Sequence, residues 1–166
     1  MRKKAVFPGS FDPFTRAHYE LCCEASRFFD ITILICSNPH KNSGLFTVDE
    51  RKDIIKHCID VSDPDRIKVE IWDGLTTDYC DANEIEFAIR GIDYGNAAEE
   101  LDLANIYYDE SRVKTVFFPA YRPEYKNVRS SRVREYITKG GAWEAFVPKE
   151  CIDKINECLI KRNLHN

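Results

Sequence analysis

The sequence predicts an α/β fold: a doubly wound, five-stranded parallel sheet with helices on both faces and a further helix at the carboxyl terminus. Two observations predict it. Short runs rich in Val, Ile and Phe alternate with longer stretches of helical period from one end of the chain to the other. No internal repeat, linker or heptad array divides the 166 residues, so one domain spanning 1–166 is expected, of a size that buries a substantial core.

Strands are expected at Lys4 to Pro8, Ile31 to Ser37, Ile67 to Trp72, Ile85 to Arg90 and Lys114 to Pro119, each β-branched or aromatic and bounded by Gly, Pro or Asp. The first helix starts after Thr15, carries a stripe of Leu21, Cys22, Ala25 and Phe28 or Phe29, and ends near Phe29. Thr47-Val48-Asp49-Glu50 reads as a capping box opening a second helix, whose buried side is Ile54, Ile55, Cys58 and Ile59. A short third segment covers Thr77 to Asn83, and a fourth runs from about Ala97 to Tyr108 with Leu101, Ala104 and Tyr108 as its inner face. The fifth begins near Arg129 and stops at Gly140-Gly141, where glycine can take a left-handed cap. Pro148 opens the last helix, with Ile152, Ile155 and Leu159 facing inward.

Apolar residues at 43%, charged residues at 31%, and only seven Gly and seven Pro exclude collagen-like, low-complexity and disordered classes. Lys and Arg total 24 against 28 Asp and Glu, a net charge of −4, so there is no global basic field for nucleic acid and any anion site must be local. The apolar run Ile31 to Cys36 is far too short to span a bilayer, and only Ala5-Val6-Phe7 separate Met1-Arg2-Lys3-Lys4 from Pro8-Gly9, leaving no apolar signal segment. Neither a membrane nor a nucleic-acid partner is expected. The seven cysteines, Cys22, Cys23, Cys36, Cys58, Cys80, Cys151 and Cys158, are odd in number and form no C-x-x-C pair, which points to reduced thiols and a cytoplasmic location.

The chain has neither G-x-x-x-x-G-K-[ST] nor a G-x-G-x-x-G turn, so the ATPase and dehydrogenase readings fall. After the first strand comes Pro8-Gly9-Ser10-Phe11-Asp12-Pro13-Phe14-Thr15-Arg16-Ala17-His18: a glycine turn, a hydroxyl, then a helix with histidine in its first turn. A helix N-terminus at the carboxyl edge of a parallel sheet offers N–H groups and a partial positive charge to a phosphate. His18, three residues after Thr15, points back toward the helix mouth. The local field disfavours an imidazolium, so a neutral ring donating one hydrogen bond to phosphate oxygen is expected. Taken alone, Lys41 reads as a solvated loop lysine, and Arg129, Arg132 and Arg134 as a solvated helix face; Arg90, closing an apolar strand, sits where ligands collect. Asp12, before Pro13, suits a turn.

P-G-S-F-D-P at Pro8 to Pro13 with T-x-x-H at Thr15 and His18, then Lys41, F-T-x-x-E-R from Phe46 to Arg51, Arg90-Gly91 and S-S-x-x-R from Ser130 to Arg134 resemble, in order and spacing, the bacterial phosphopantetheine adenylyltransferases of the nucleotidyltransferase superfamily. The resemblance covers nearly the whole chain and implies a Rossmann-like nucleotidyltransferase fold. It implies transfer of an adenylyl group from ATP to 4'-phosphopantetheine, giving dephospho-coenzyme A and pyrophosphate. It assigns catalysis to His18, Lys41 and Arg90. ATP would be held by Ser10, Phe11, His18, Gly91, Ile92, Asp93, Glu100 and the stretch Tyr125, Lys126, Asn127, Val128, Arg129, Ser130 and Ser131. The acceptor would be held by Ser10, Lys41, Thr76 and Arg90. Magnesium would arrive with ATP, with no dedicated protein metal site, and the family precedent is a homo-oligomer, a hexamer.

Two departures stand out. Asp93 occupies the position of the second arginine in the family's R-G-x-R: either the chain shifts locally, with one residue fewer between Arg90 and Leu103-Ala104 than the family pattern has, or the cation comes from elsewhere, and Arg129, standing where the family commonly has a serine, is expected to supply it. Ala17 replaces the glycine of T-x-G-H, a change a helix interior tolerates. Asp93 keeps open a sibling enzyme that activates another phosphomonoester, such as glycerol phosphate or nicotinamide mononucleotide. A nucleotide sensor without turnover is the non-enzymatic alternative.

Overall fold

The computed structural model describes residues 2–36, 44–59, 66–119 and 128–163. Its strands are β1 (Lys3–Gly9), β2 (Phe29–Cys36), β3 (Ile67–Trp72), β4 (Phe87–Ile92) and β5 (Lys114–Pro119), paired in parallel in the order β3-β2-β1-β4-β5. The helices are α1 (Arg16–Ala25), α2 (Val48–Ile59), α3 (Thr76–Asn83), α4 (Ala97–Ser111), α5 (Ser130–Lys139) and α6 (Ile152–Asn163). The expected doubly wound α/β architecture is the one observed.

Alternation along β1 divides the core. Ala5 and Phe7 face a large cluster built with Cys22, Ile54, Val133 and Ile155 of α1, α2, α5 and α6. Val6 faces the smaller cluster of Tyr79, Cys80 and Tyr107 from α3 and α4. Helices therefore cover both faces because successive side chains of a buried strand point to opposite sides.

Several local signals act as expected. Thr47 N–H donates to Glu50 Oε2 at 2.7 Å and Glu50 N–H to Thr47 Oγ1 at 3.2 Å, a complete capping box. Gly140 ends α5 at φ 70°, a conformation glycine adopts without a Cβ penalty. Pro148 precedes one 3-10 turn (Lys149–Cys151) before α6 begins, and Ile155 is fully buried.

Three boundaries or faces differ. α1 stops at Ala25, because Ser26 Oγ turns back to donate to Cys23 O at 2.8 Å, and β2 then starts at Phe29. β4 runs from Phe87 to Ile92, not Ile85 to Arg90: Glu84 is left-handed at φ 55° and Ile85 N–H donates to Cys80 O, so Ile85 closes α3. The inner face of α4 is Glu100, Leu103 and Tyr107, while Leu101 and Tyr108 are 52% and 47% exposed. The apolar stripe points outward because Glu100 is held inward by a charge on β4.

Candidate functional site

The site grows from an interruption in the sheet. β1 and β4 share register only at Ala5↔Phe87 and Val6↔Ala88. Two residues on from Val6, and so facing β4 as Val6 does, Pro8 has no N–H to continue the ladder, and the strands part. Arg90 of β4 fills the gap, its Nη1 donating to Pro8 O at 2.9 Å. A cavity of about 670 Å³ opens beyond this point, at the reversal of strand order where parallel sheets collect ligands.

Its first wall is the β1–α1 turn. Gly9 is required, since a Cβ there would lie 2.9 Å from the Phe11 ring. Phe11 sits at φ 47°, uncommon for an aromatic residue, with its ring buried against Phe7, Phe14 and His18. Ser10 is exposed on the cavity wall.

T-x-x-H proves to be a reciprocal cap. Thr15, fully buried, accepts from His18 N–H at 3.4 Å, and Thr15 N–H donates to His18 Nδ1 at 3.1 Å. An Nδ1 that accepts cannot carry the proton of a neutral ring, so the proton sits on Nε2. Among the described residues Nε2 has no partner, and the ring lines the cavity. Burial first, then the Arg90 charge, pulls its pKa down to about 4, which favours the neutral ring.

Opposite stands Arg90. Its Nε and Nη2 donate to the two carboxylate oxygens of Glu100 at 2.6 and 2.7 Å, a side-on fork. Burial opposes the charge and the Glu100 carboxylate outweighs it, so the guanidinium is held above its ordinary value. Gly91, Ile92 and Asp93 continue the wall. Asp93 Oδ1 accepts from Gly95 N–H at 2.7 Å and Asn96 N–H at 3.1 Å, while Asn96 Nδ2 donates to Gly91 O at 3.1 Å. The carboxylate in place of the expected arginine thus ties the β4–α4 turn.

The third wall is the start of α5. Val128, Arg129 and Ser130 line the cavity, and the cap residue Arg129 makes no side-chain bond to the helix amides. Arg129 Nη2 lies 3.8 Å from Asp93 Oδ2, a loose and largely exposed pair. Ser130 Oγ donates to Pro13 O at 2.9 Å, fastening α5 to the first turn.

Two expected residues lie elsewhere. Ser131 faces a shallow surface depression with Arg132 and Tyr136, because adjacent helical residues point about 100° apart. Thr76, first residue of α3, lies outside the cavity lining, with Oγ1 3.6 Å from Cys36 Sγ. Lys41, Tyr125, Lys126 and Asn127 lie outside the described residues.

Sequence reasoning missed the brace behind the site. Asp12, 3% exposed, accepts from Leu45 N–H at 2.8 Å and Phe46 N–H at 2.9 Å, with Arg51 Nε at 3.5 Å and Arg134 Nη1 at 3.7 Å. Arg51 also donates to Ser10 O and Arg134 to Asp12 O. The motif arginines were visible in sequence; their shared partner was not, being 39 and 122 positions away in the chain. Missed too was the outer wing of the cavity, formed by Glu20 and Glu24 of α1 and by Arg27 in the turn that follows it.

All seven cysteines are free thiols. Among the described residues no helix is long and apolar enough to cross a membrane.

Known proteins resemble this chain in sequence and in fold. The sequence matches the cytidylyltransferase-like family over residues 6–136. It is 35% identical over 156 residues to a phosphopantetheine adenylyltransferase of Corynebacterium efficiens, covering 93% of this chain and 96% of that one. It is 38% identical over 164 residues to one of Limosilactobacillus reuteri, covering 96% and 90%. Among solved structures, a putative nicotinate-nucleotide adenylyltransferase from Vibrio parahaemolyticus superposes with a TM-score of 0.66 at 13% identity, over 93% of this chain and 99% of that one. A bifunctional NMN adenylyltransferase/ADP ribose pyrophosphatase from Francisella tularensis, complexed with AMP and a manganese ion, gives 0.65 at 18% identity over 89% of this chain; the chain spans 44% of that protein. At those identities the structures attest the shared fold.

Proposed function

The chain belongs to the phosphopantetheine adenylyltransferases of the cytidylyltransferase-like family, and from that premise we propose how its cavity transfers the adenylyl group of ATP to 4'-phosphopantetheine, giving dephospho-coenzyme A and pyrophosphate. One observation carries the reading: the neutral donor His18, the fork of Arg90 and the uncapped start of α5 converge on one cavity at the β1–β4 divergence.

The reaction needs no covalent nucleophile. The acceptor's phosphate oxygen attacks the α-phosphorus of ATP in line and pyrophosphate leaves, so the protein must place two polyanions together and stabilise charge growing on the equatorial oxygens. His18 supplies Nε2–H to an α-phosphate oxygen without changing its own protonation. It is a fixed donor that needs no reorganisation during the reaction. Ser10 stands beside it on the same wall. Arg90 receives the acceptor's phosphate on its remaining N–H groups, and the resemblance gives Lys41 the role of bridging the attacking phosphate and the phosphorus under attack. The start of α5, with Val128, Arg129 and Ser130, takes the β- and γ-phosphates at its positive dipole end. Arg129 brings the cation that Asp93 does not.

Among the described residues no group of three or more His, Cys, Asp or Glu side chains could hold a metal ion. In this reading magnesium arrives with ATP as the MgATP complex, a hard divalent ion that would screen the repulsion between the phosphates. A cytoplasmic location accords with the free thiols, and the assembly the resemblance implies is a homo-hexamer.

The test is pyrophosphate release with ATP and a panel of phosphomonoesters. Release with 4'-phosphopantetheine, and not with nicotinamide mononucleotide or glycerol phosphate, is expected. Release with another acceptor would make the chain a sibling enzyme, and no release at all a sensor.

A further inference from the structure

The aim of Arg90 depends on a neighbour, and its meaning rests on the adenylyl transfer proposed for this cavity. By resemblance Glu100 lies along the nucleotide. What its carboxylate touches is Arg90: Oε2 accepts from Nε at 2.6 Å and Oε1 from Nη2 at 2.7 Å, while Nη1 of the same guanidinium donates to Pro8 O at 2.9 Å. Three of the five N–H groups of the fork are taken. Among the described residues the other two, one on each terminal nitrogen, have no partner. Glu100 is only 8% exposed although it lies in the first turn of α4, and its burial leaves Leu101 facing outward.

We propose that Glu100 is a positioning residue: its carboxylate fixes the Arg90 guanidinium across the gap between β1 and β4, so that the two remaining N–H groups meet the acceptor's phosphate. A long arginine side chain left without such a partner samples many rotamers and forfeits the planar fork that makes it a phosphate ligand. Pro8 and Glu100 together hold the guanidinium at two edges, leaving it no freedom to rotate about its own axis.

The two tasks open to Glu100 have opposite signatures. A carboxylate that accepts a hydrogen bond from ATP would, once neutralised, weaken ATP binding. One that serves Arg90 only repels the triphosphate, and its neutralisation leaves ATP binding unchanged or tighter while acceptor binding suffers.

The experiment begins with pyrophosphate release by the wild type, which establishes the acceptor; a wild type that ignores 4'-phosphopantetheine overturns both the reaction and this inference before any variant is read. Calorimetry then measures ATP and 4'-phosphopantetheine separately on wild type, Glu100→Gln, Arg90→Gln and the double variant. For Glu100→Gln the expected loss in acceptor affinity is roughly ten- to hundredfold, with ATP affinity undiminished. In the Arg90→Gln background the same substitution should change acceptor affinity by less than about twofold, since its target is gone. A tenfold or greater loss of ATP affinity in Glu100→Gln, on the order of one hydrogen bond to a charged group, overturns the proposal. So does full additivity in the double variant. Should Glu100→Gln fail to fold, Glu100→Asp keeps a buried charge but cannot span the fork, and the same split between acceptor and ATP is expected at smaller size.

Discussion

Acid exposes how His18 is held. An unfolded histidine takes its proton at about pH 6.5, the value of an unperturbed ring, whereas in the fold burial and then Arg90 bring the value to about 4. Between those values the unfolded chain binds a proton the native state refuses, so stability falls as pH drops through that window. At about 1.4 kcal/mol per pH unit, the loss accumulated by pH 4 is about 3 kcal/mol. The perturbation is His18→Gln, which removes the titration and keeps an N–H donor. The assay is urea unfolding of both proteins, followed by fluorescence of Trp72 and Trp143, at about pH 7 and about pH 4. Carboxylates titrate equally in both proteins, so the difference between wild type and variant isolates His18. That difference should move by about 3 kcal/mol in the variant's favour on acidification. A difference constant to within about 0.5 kcal/mol would refute the half-buried neutral ring, since that is the reach of extrapolation error.

Asp12→Asn should cost about 3–5 kcal/mol of unfolding free energy, because Arg51 and Arg134 would face a neutral amide in a buried setting; a shift in urea midpoint worth under about 1 kcal/mol would show the brace to be dispensable. Arg129→Ala should raise the apparent KM for ATP by about three- to tenfold with the acceptor KM unmoved, the size expected of an exposed cation; an unchanged ATP value would sink its compensating role. Gly140→Ala should lower stability by about 1 kcal/mol, since φ 70° strains an L residue even though open space surrounds the position; thermal melts superimposing on wild type would contradict the left-handed cap.

What could be read from the chain and what could not divides along the range of the interaction. The Thr47–Glu50 box, the Gly140 stop and the strand positions of β3 and β5 depend on residues a few places apart, and the sequence reading and the structure agree there. The face of α4 is misread from sequence because Leu101, Ala104 and Tyr108 form an apolar stripe, while the force that sets the helix face is a charge pair between Arg90 and Glu100 on different elements. β4 is placed two residues early because Ile85 is apolar and buried, yet it is spent on closing α3. At the site, P-G-S-F-D-P and T-x-x-H mark the right turn. That Thr15 and His18 cap each other, and so choose the ring's tautomer, requires geometry that spacing alone does not give. Asp12 looks like a turn residue in sequence and proves to join three segments of the chain.

Two phosphate groups must meet between His18 and Arg90 for the proposed transfer to occur. A crystal structure with a non-hydrolysable ATP analogue and 4'-phosphopantetheine reads this directly. It should place an α-phosphate oxygen within hydrogen-bond distance of His18 Nε2 and the acceptor's phosphate on the terminal nitrogens of Arg90. Either phosphate bound away from the β1–β4 cleft, or Arg90 leaving Glu100 to bind it, would contradict that placement.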